Sequence, residues 1–356
     1  MVGFMRLRFE RGKPDRLETL HPAYFAMVMA TGIVALATSL HGISVFPVLL
    51  FWLNACFFAA LIVALSMRLL RYPGAVLADI RNHNRGVGFF TLVAASGVFG
   101  NQLVLQMQAT GLAVMFWIAT ALFWLVVTYG VLAVLTVKPE KPGLAEGING
   151  GWLVIVVATQ SVSILTVLIL STGVLAGFQN PLMFAALILW LGGGALYLWL
   201  MTLIFYRYTF FAMSPEDLAP PYWINMGAVA ISTLAGATLL EHMAFSATVA
   251  ELAPFIKGLT LFYWSIGSWW IPMLLVLGVW RYLIRGLPFS YDPLYWGGVF
   301  PLGMYSVCTW HLASLLDAPF LLPISNAFML AAVVAWLAAF SGLVDSRINS
   351  GARTGH

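Results

Sequence analysis

The chain has 356 residues, of which 62% are hydrophobic and only 8% charged, and its mean hydropathy is +0.94. A soluble domain is typically about a quarter charged, so this composition excludes an ordinary water-soluble globule. The net charge of +4 sits between apolar stretches, where it orients a chain in a membrane and gives no reason to invoke a nucleic-acid partner.

Ten apolar segments follow one another. In chain order they are Pro22–Leu40, Phe46–Leu70, Val87–Met107, Thr110–Val137, Trp152–Gly173, Pro181–Tyr206, Tyr222–Glu241, Pro254–Trp280, Tyr291–Leu312 and Phe320–Leu343. Each has the length, about 20 residues at 1.5 Å rise, that a helix needs to cross roughly 30 Å of hydrocarbon. A backbone in lipid must satisfy its own hydrogen bonds, so the prediction is an all-α protein. Residues 1–20 are basic and polar and 344–356 form a short tail. We therefore expect a single transmembrane domain over 1–356, without a cleaved signal peptide or a soluble appendage.

Charge sets the orientation. With the N-terminus placed inside, the inside segments hold 16 of the 17 Lys and Arg, and only Lys257 falls outside. Cytoplasmic loops carry such an excess, which predicts both termini in the cytoplasm. Connections after the odd spans 1, 3, 5 and 9 are short, while Arg71–Gly86, Lys138–Gly151, Arg207–Pro221 and Arg281–Ser290 carry Pro, Gly and charge. The chain reads as five consecutive helical hairpins.

Odd and even members of the pairs differ. The odd spans hold 21 Ser, Thr, Asn and Gln in 104 residues, against 13 in 130 for the even spans; Trp is reversed, 4 against 10. Polar groups are costly against lipid and Trp suits the headgroup boundary, so an inner ring of odd helices inside an outer ring of even ones is expected. Two uses of the inner polarity remain open: lining a pore, or joining helices. Candidate lining residues are Thr31, Gly32, Ser96, Gly97, Gln160, Ser161, Ser232 and Thr233.

The odd spans contain no Asp, Glu, Lys or Arg at mid-length. This argues against a proton pump and against a carboxylate-ringed cation channel. A neutral ring with hydroxyls and backbone donors suits weak anion permeation, and Arg81, Arg85, Arg281 and Arg285 would make its cytoplasmic mouth basic. In Trp296-Gly297-Gly298-Val299-Phe300-Pro301-Leu302-Gly303, Pro301 is expected to kink the helix, with Gly298 and Gly303 as hinges. A Phe300 ring turned inward there would be an apolar plug; turned outward it would merely pack.

The remaining chemistry is sparse. No two histidines have metal-pair spacing, Cys56 and Cys308 lie inside apolar segments, and no hydrolase, zinc or phosphate-loop motif is present, so neither an enzyme nor a cofactor is expected. The Gly192-Gly193-Gly194 run reads as close helix packing.

Three stretches carry a resemblance. His21-Pro22-Ala23-Tyr24-Phe25 with Met29-Ala30-Thr31-Gly32 resembles the opening helix of the tellurite-resistance/dicarboxylate transporter (TDT) family. That family includes bacterial tellurite-resistance anion channels, malic-acid permeases, sulfite efflux pumps and plant slow-type anion channels. Trp264 with Trp269-Trp270-Ile271-Pro272 is similar to its helix 8, and Tyr291 through Tyr305 to its helix 9. Ala30 and the His83-Asn84 pair depart from the usual pattern. The resemblance implies a homotrimer with one five-helix pore per subunit, and a pore gate at Phe300. It implies transport of small anions, C4-dicarboxylates such as malate, or oxyanions such as tellurite or sulfite, across a bacterial-type inner membrane. The alternative is a proton-coupled C4-dicarboxylate symporter.

Overall fold

The computed structural model describes residues 15–288 and 291–352. Arg6, Arg8, Arg11, Lys13 and Arg353, and with them most of the 1–20 segment, lie outside the described residues. Among the described residues the regular structure is helical throughout. Ten long helices carry the fold: α1 Ala26–Leu40, α2 Val45–Arg71, α3 Phe90–Leu105, α4 Thr110–Val137, α5 Val154–Ser171, α6 Gln179–Phe210, α7 Ile224–Glu241, α8 Ala253–Val279, α9 Trp296–Leu315 and α10 Leu322–Ala352. Nine of the described helices are long and apolar enough to cross a membrane. The exception, α9, has 20 residues, but Gly297, Gly298, Pro301, Gly303, Ser306, Thr309 and His311 dilute its apolarity.

The helices centre on the ten apolar segments, with differences at the edges. The expected tail from 344 continues α10 as helix to Ala352, since no Pro interrupts it. The expected loop Arg71–Gly86 contains a helix, Pro73–Ile80, which starts on Pro73 where no backbone donor is needed. It is pinned by Asp79, which bonds Arg68 at 2.8 Å and Arg85 at 2.5 Å. Helix α9 runs through Pro301 as one element.

The packing is cyclic. α1 packs on α3, α3 on α5, α5 on α7, α7 on α9, and α9 back on α1. Each even helix sits outside the seam between two odd ones: α2 on α1 and α3, α4 on α3 and α5, α6 on α5 and α7, α8 on α7 and α9, α10 on α9 and α1. The apolar stretch of α5 is 100% buried and those of α3 and α7 94%, against 22–39% for the even helices. The even helices turn large apolar side chains outward, among them Trp52, Val126, Trp199 and Trp269. At the α7–α9 seam a Cβ built on Gly227 would fall 2.7 Å from Pro301 Cγ, so only glycine fits there.

One hydrogen-bond motif recurs at all five seams. Every even helix donates a side-chain N–H to the odd helix that follows it. Asn54 Nδ2 of α2 bonds Gln102 Oε1 of α3 at 2.7 Å. Trp117 and Trp124 of α4 bond Thr166 and Thr159 of α5 at 2.9 and 3.0 Å. Trp190 of α6 bonds the Ser232 carbonyl of α7 at 2.8 Å. Trp264 of α8 bonds Thr309 of α9 at 2.9 Å, and Trp336 of α10 bonds Thr31 of α1 at 3.0 Å. Side-chain bonds of this kind hold helices together where lipid offers no alternative partner. They account for part of the compositional skew: these Trp are in even helices and four of their acceptors are Thr in odd ones.

Candidate functional site

Five 3-10 turns open the odd helices: Pro22–Phe25, Val87–Phe89, Gly150–Leu153, Pro220–Trp223 and Pro293–Tyr295. Each touches the next, and the last touches the first, so the ring continues into this rim. A cavity of about 330 Å³ lies there, bounded by all five helix starts through Ala26, Thr91, Val154, Ile224 and Gly297. The first N–H groups of a helix have no partner within it. Each start therefore carries about half a positive charge, roughly +2.5 for five.

Side-chain charge at the rim is balanced. Arg85 lines the cavity and is held by Asp79, which also binds the buried Arg68. Arg207 also lines it, 6% exposed, with Asp217 at 3.3 Å, the Tyr222 hydroxyl at 2.8 Å and the Ala145 carbonyl at 2.6 Å. Glu146 is a further carboxylate there, so three arginines face three carboxylates. The helix starts are what makes the rim positive. His21 caps the first turn, its Nδ1 accepting from Ala23 N–H at 3.0 Å. Burial, followed by the Arg85 charge, lowers its pKa to about 4. It is therefore neutral at neutral pH, as that acceptor role requires. Of the other mouth arginines, Arg81 and Arg285 are exposed, and Arg281 lines a different cavity between α8, α9 and α10.

Beyond the rim the ring is packed. On α9, Pro301 abuts Gly227 of α7 and Gly303 abuts Ile33 of α1, the two ring neighbours. Tyr305 and Ser306 reach outward, to Ser268 of α8 and Ser325 of α10. Successive residues turn by about 100° around a helix. The face toward the ring interior holds Gly297, Phe300, Met304 and Val307. Gly297 lines the rim cavity, and Phe300 stands one turn deeper, 1% exposed.

On α3 the same geometry brings a further residue to the interior face. Gly97 meets Ser161 of α5, Val98 meets Gly32 of α1, and Phe99 stacks on Phe51 and Phe58 of α2. One turn on, Asn101 lies above the gap between Gly97 and Val98, on the interior face. It is 6% exposed and its Oδ1 has no hydrogen-bond partner among the described residues. Asn101 is ten residues past Thr91, or about 15 Å, and so about 10 Å beyond Phe300. The residues ten past the rim on the other odd helices are Leu36, Ile164, Leu234 and Val307, all apolar. A lone Asn in an apolar helix carries no pattern; its offset from Thr91 was the available signal.

The lining candidates are all buried, and several meet each other. Thr31 accepts from Trp336, and Gly32 packs on Val98. Gly97 faces Ser161 across α3–α5. Gln160 Nε2 donates to Ser232 Oγ and to the Trp190 carbonyl, each at 3.1 Å, joining α5, α6 and α7. Ser96, Ser161, Ser232 and Thr233 donate to the carbonyls four residues back, at 2.8–2.9 Å. Gly298 stands near Pro220 and Trp223 of the neighbouring turn. Among the described residues no three His, Cys, Asp or Glu gather as for a metal ion.

A closed ring of largely buried helices, enclosed by outer helices that turn large apolar side chains outward, defines an integral membrane protein. The sequence pattern of the voltage-dependent anion channel family matches residues 19–344, and the chain belongs to that family. Two uncharacterized transporters of Methanocaldococcus jannaschii are 27% and 28% identical, covering 82% and 84% of this chain and 84% and 85% of their own. An uncharacterized membrane protein of Mycobacterium tuberculosis is 32% identical over 42% of this chain and 75% of its own. Family and relatives alike are described as channels, transporters or membrane proteins.

Proposed function

We propose that the chain is a passive anion channel of a bacterial-type plasma membrane, with ten crossings arranged as five hairpins and the odd helices enclosing the pore. The observation that carries this reading is Phe300: fully buried, on the interior face of a ring without Asp, Glu, Lys or Arg at mid-length, one turn beyond a rim where five helix starts converge. The charge distribution along the chain supports a cytoplasmic position for that rim and for both termini. The helix starts would concentrate small anions there, and Phe300 would close the path beyond. Pro301, Gly298 and Gly303 are the proposed points about which the ring shifts. Chloride-sized anions are the first substrates to test, then malate, sulfite and tellurite. The outward apolar faces of the even helices suit lipid and, in a homotrimer, neighbouring copies.

Asn101 is the proposed polar relay beyond the gate, with its amide replacing part of an anion's hydration. A hydrogen bond to a charged partner is worth about 1.5–3 kcal/mol, and ~1.4 kcal/mol is tenfold in rate. Asn101→Leu should therefore lower anion efflux from liposomes roughly tenfold in a Phe300→Ala background. Unchanged efflux from the folded double variant would remove Asn101 from the path. The reading as a whole is tested by efflux of chloride and malate through the purified protein with a pH gradient on or off. Anion efflux indifferent to the gradient supports it; strict dependence on the gradient favours the proton-coupled symporter instead.

A further inference from the structure

A second and larger cavity, about 790 Å³, lies away from the ring interior, between the end of α8 and helices α9 and α10. Its wall is aliphatic over most of its extent, with Leu277, Val299, Leu302 and Ala339 among the lining. Arg281 stands on the same wall. Its Nε and Nη1 are buried and have no hydrogen-bond partner among the described residues, and its Cζ lies 5.2 Å from the Tyr282 ring centroid. Asp345 borders the cavity too, but no carboxylate of the described residues lies within 4.0 Å of the guanidinium.

Arg281 itself is half-buried, but two buried guanidinium N–H groups without an acceptor are unfavourable, so this side of it calls for an anionic occupant. The aliphatic wall calls for an apolar one. A small inorganic anion satisfies the first demand only, and a neutral lipid the second only. We propose that the cavity binds an acidic glycerophospholipid, its phosphate on the Arg281 fork and an acyl chain along α9 and α10. The planar fork of arginine matches two phosphate oxygens. The volume lies within the range of about 300–1,000 Å³ usual for ligand pockets. The sequence places Arg281 among the basic residues of the cytoplasmic side, where a headgroup phosphate of that leaflet would sit. This assignment is independent of the pore.

The test uses full-length protein purified in detergent and mixed with phosphatidylglycerol or phosphatidylcholine. Native mass spectrometry counts the retained lipid, and thermal unfolding reports stabilisation. Wild type should retain phosphatidylglycerol preferentially and unfold at a higher temperature with it. Arg281→Gln should weaken that retention by about tenfold or more. The exposed neighbour Arg285→Gln should behave as wild type. Ala335→Phe, which fills the cavity and leaves the charge, provides a second route should Arg281→Gln not fold, and should also lose retention. Equal retention by wild type and the cavity variants would overturn the proposal. So would equal losses in Arg281→Gln and Arg285→Gln, or full stabilisation by inorganic phosphate alone.

Discussion

Phe300→Ala protein in liposomes should release chloride at least about tenfold faster than wild type, since a barrier only ~1.4 kcal/mol lower has that effect. The Phe300 ring is 1% exposed and stands just beyond the rim cavity, on the face of α9 turned toward the ring interior. Ala would leave a gap in line with that cavity. An apolar constriction excludes ions mainly by excluding water, so removing the ring acts on both. Phe300→Leu should fall between the two. The exchange also costs stability, about 3–5 kcal/mol for a buried Phe, so flux must be compared on protein that elutes as folded. Unchanged flux from such protein would mean that another constriction holds the path closed.

A comparably large loss of stability should come from Asp79→Ala. Arg68 is 2% exposed; Asp79 takes its Nη1 at 2.8 Å, while the Glu18 carbonyl takes Nε and Nη2 at 3.2 and 2.9 Å. The same carboxylate holds Arg85 at the rim through Nε and Nη2. Without it two guanidinium groups compete for backbone carbonyls, one of them inside the protein. Removing one partner of a buried ion pair costs about 3–5 kcal/mol. Thermal unfolding in detergent measures this, and Asp79→Asn should fall short of the full loss because its amide oxygen still accepts. A change within about 0.5 kcal/mol, as for an ordinary surface substitution, would show the cluster to be dispensable.

How much of this was legible in the sequence differs from level to level. The ten helices follow from hydropathy because lipid leaves a backbone few options. The odd–even skew pointed to concentric rings, but mixed two causes. Thr31, Thr159, Thr166 and Thr309 accept indole N–H groups from the outer helices, so part of the inner polarity joins rings. Nothing in sequence spacing pairs Trp336 with Thr31, 305 residues apart. Residue counts alone make the mouth basic. Arg85 and Arg207 reach it, yet their partners Asp79 and Asp217 cancel them, and that pairing is tertiary. Phe300 stood out because glycines and a proline surround it. Asn101 did not, because its direction depends on which helices Gly97 and Val98 meet. The separate cavity of Arg281 likewise depends on how the end of α8 packs beside α9 and α10.

The central claim is passive anion permeation through the ring interior. Its most direct test is the reversal potential of currents through purified Phe300→Ala protein in a planar bilayer, under a chloride gradient, with and without an opposing pH gradient. The account predicts reversal near the chloride equilibrium potential in both conditions. Reversal that moves with the pH gradient, or the absence of any current attributable to chloride, would contradict it.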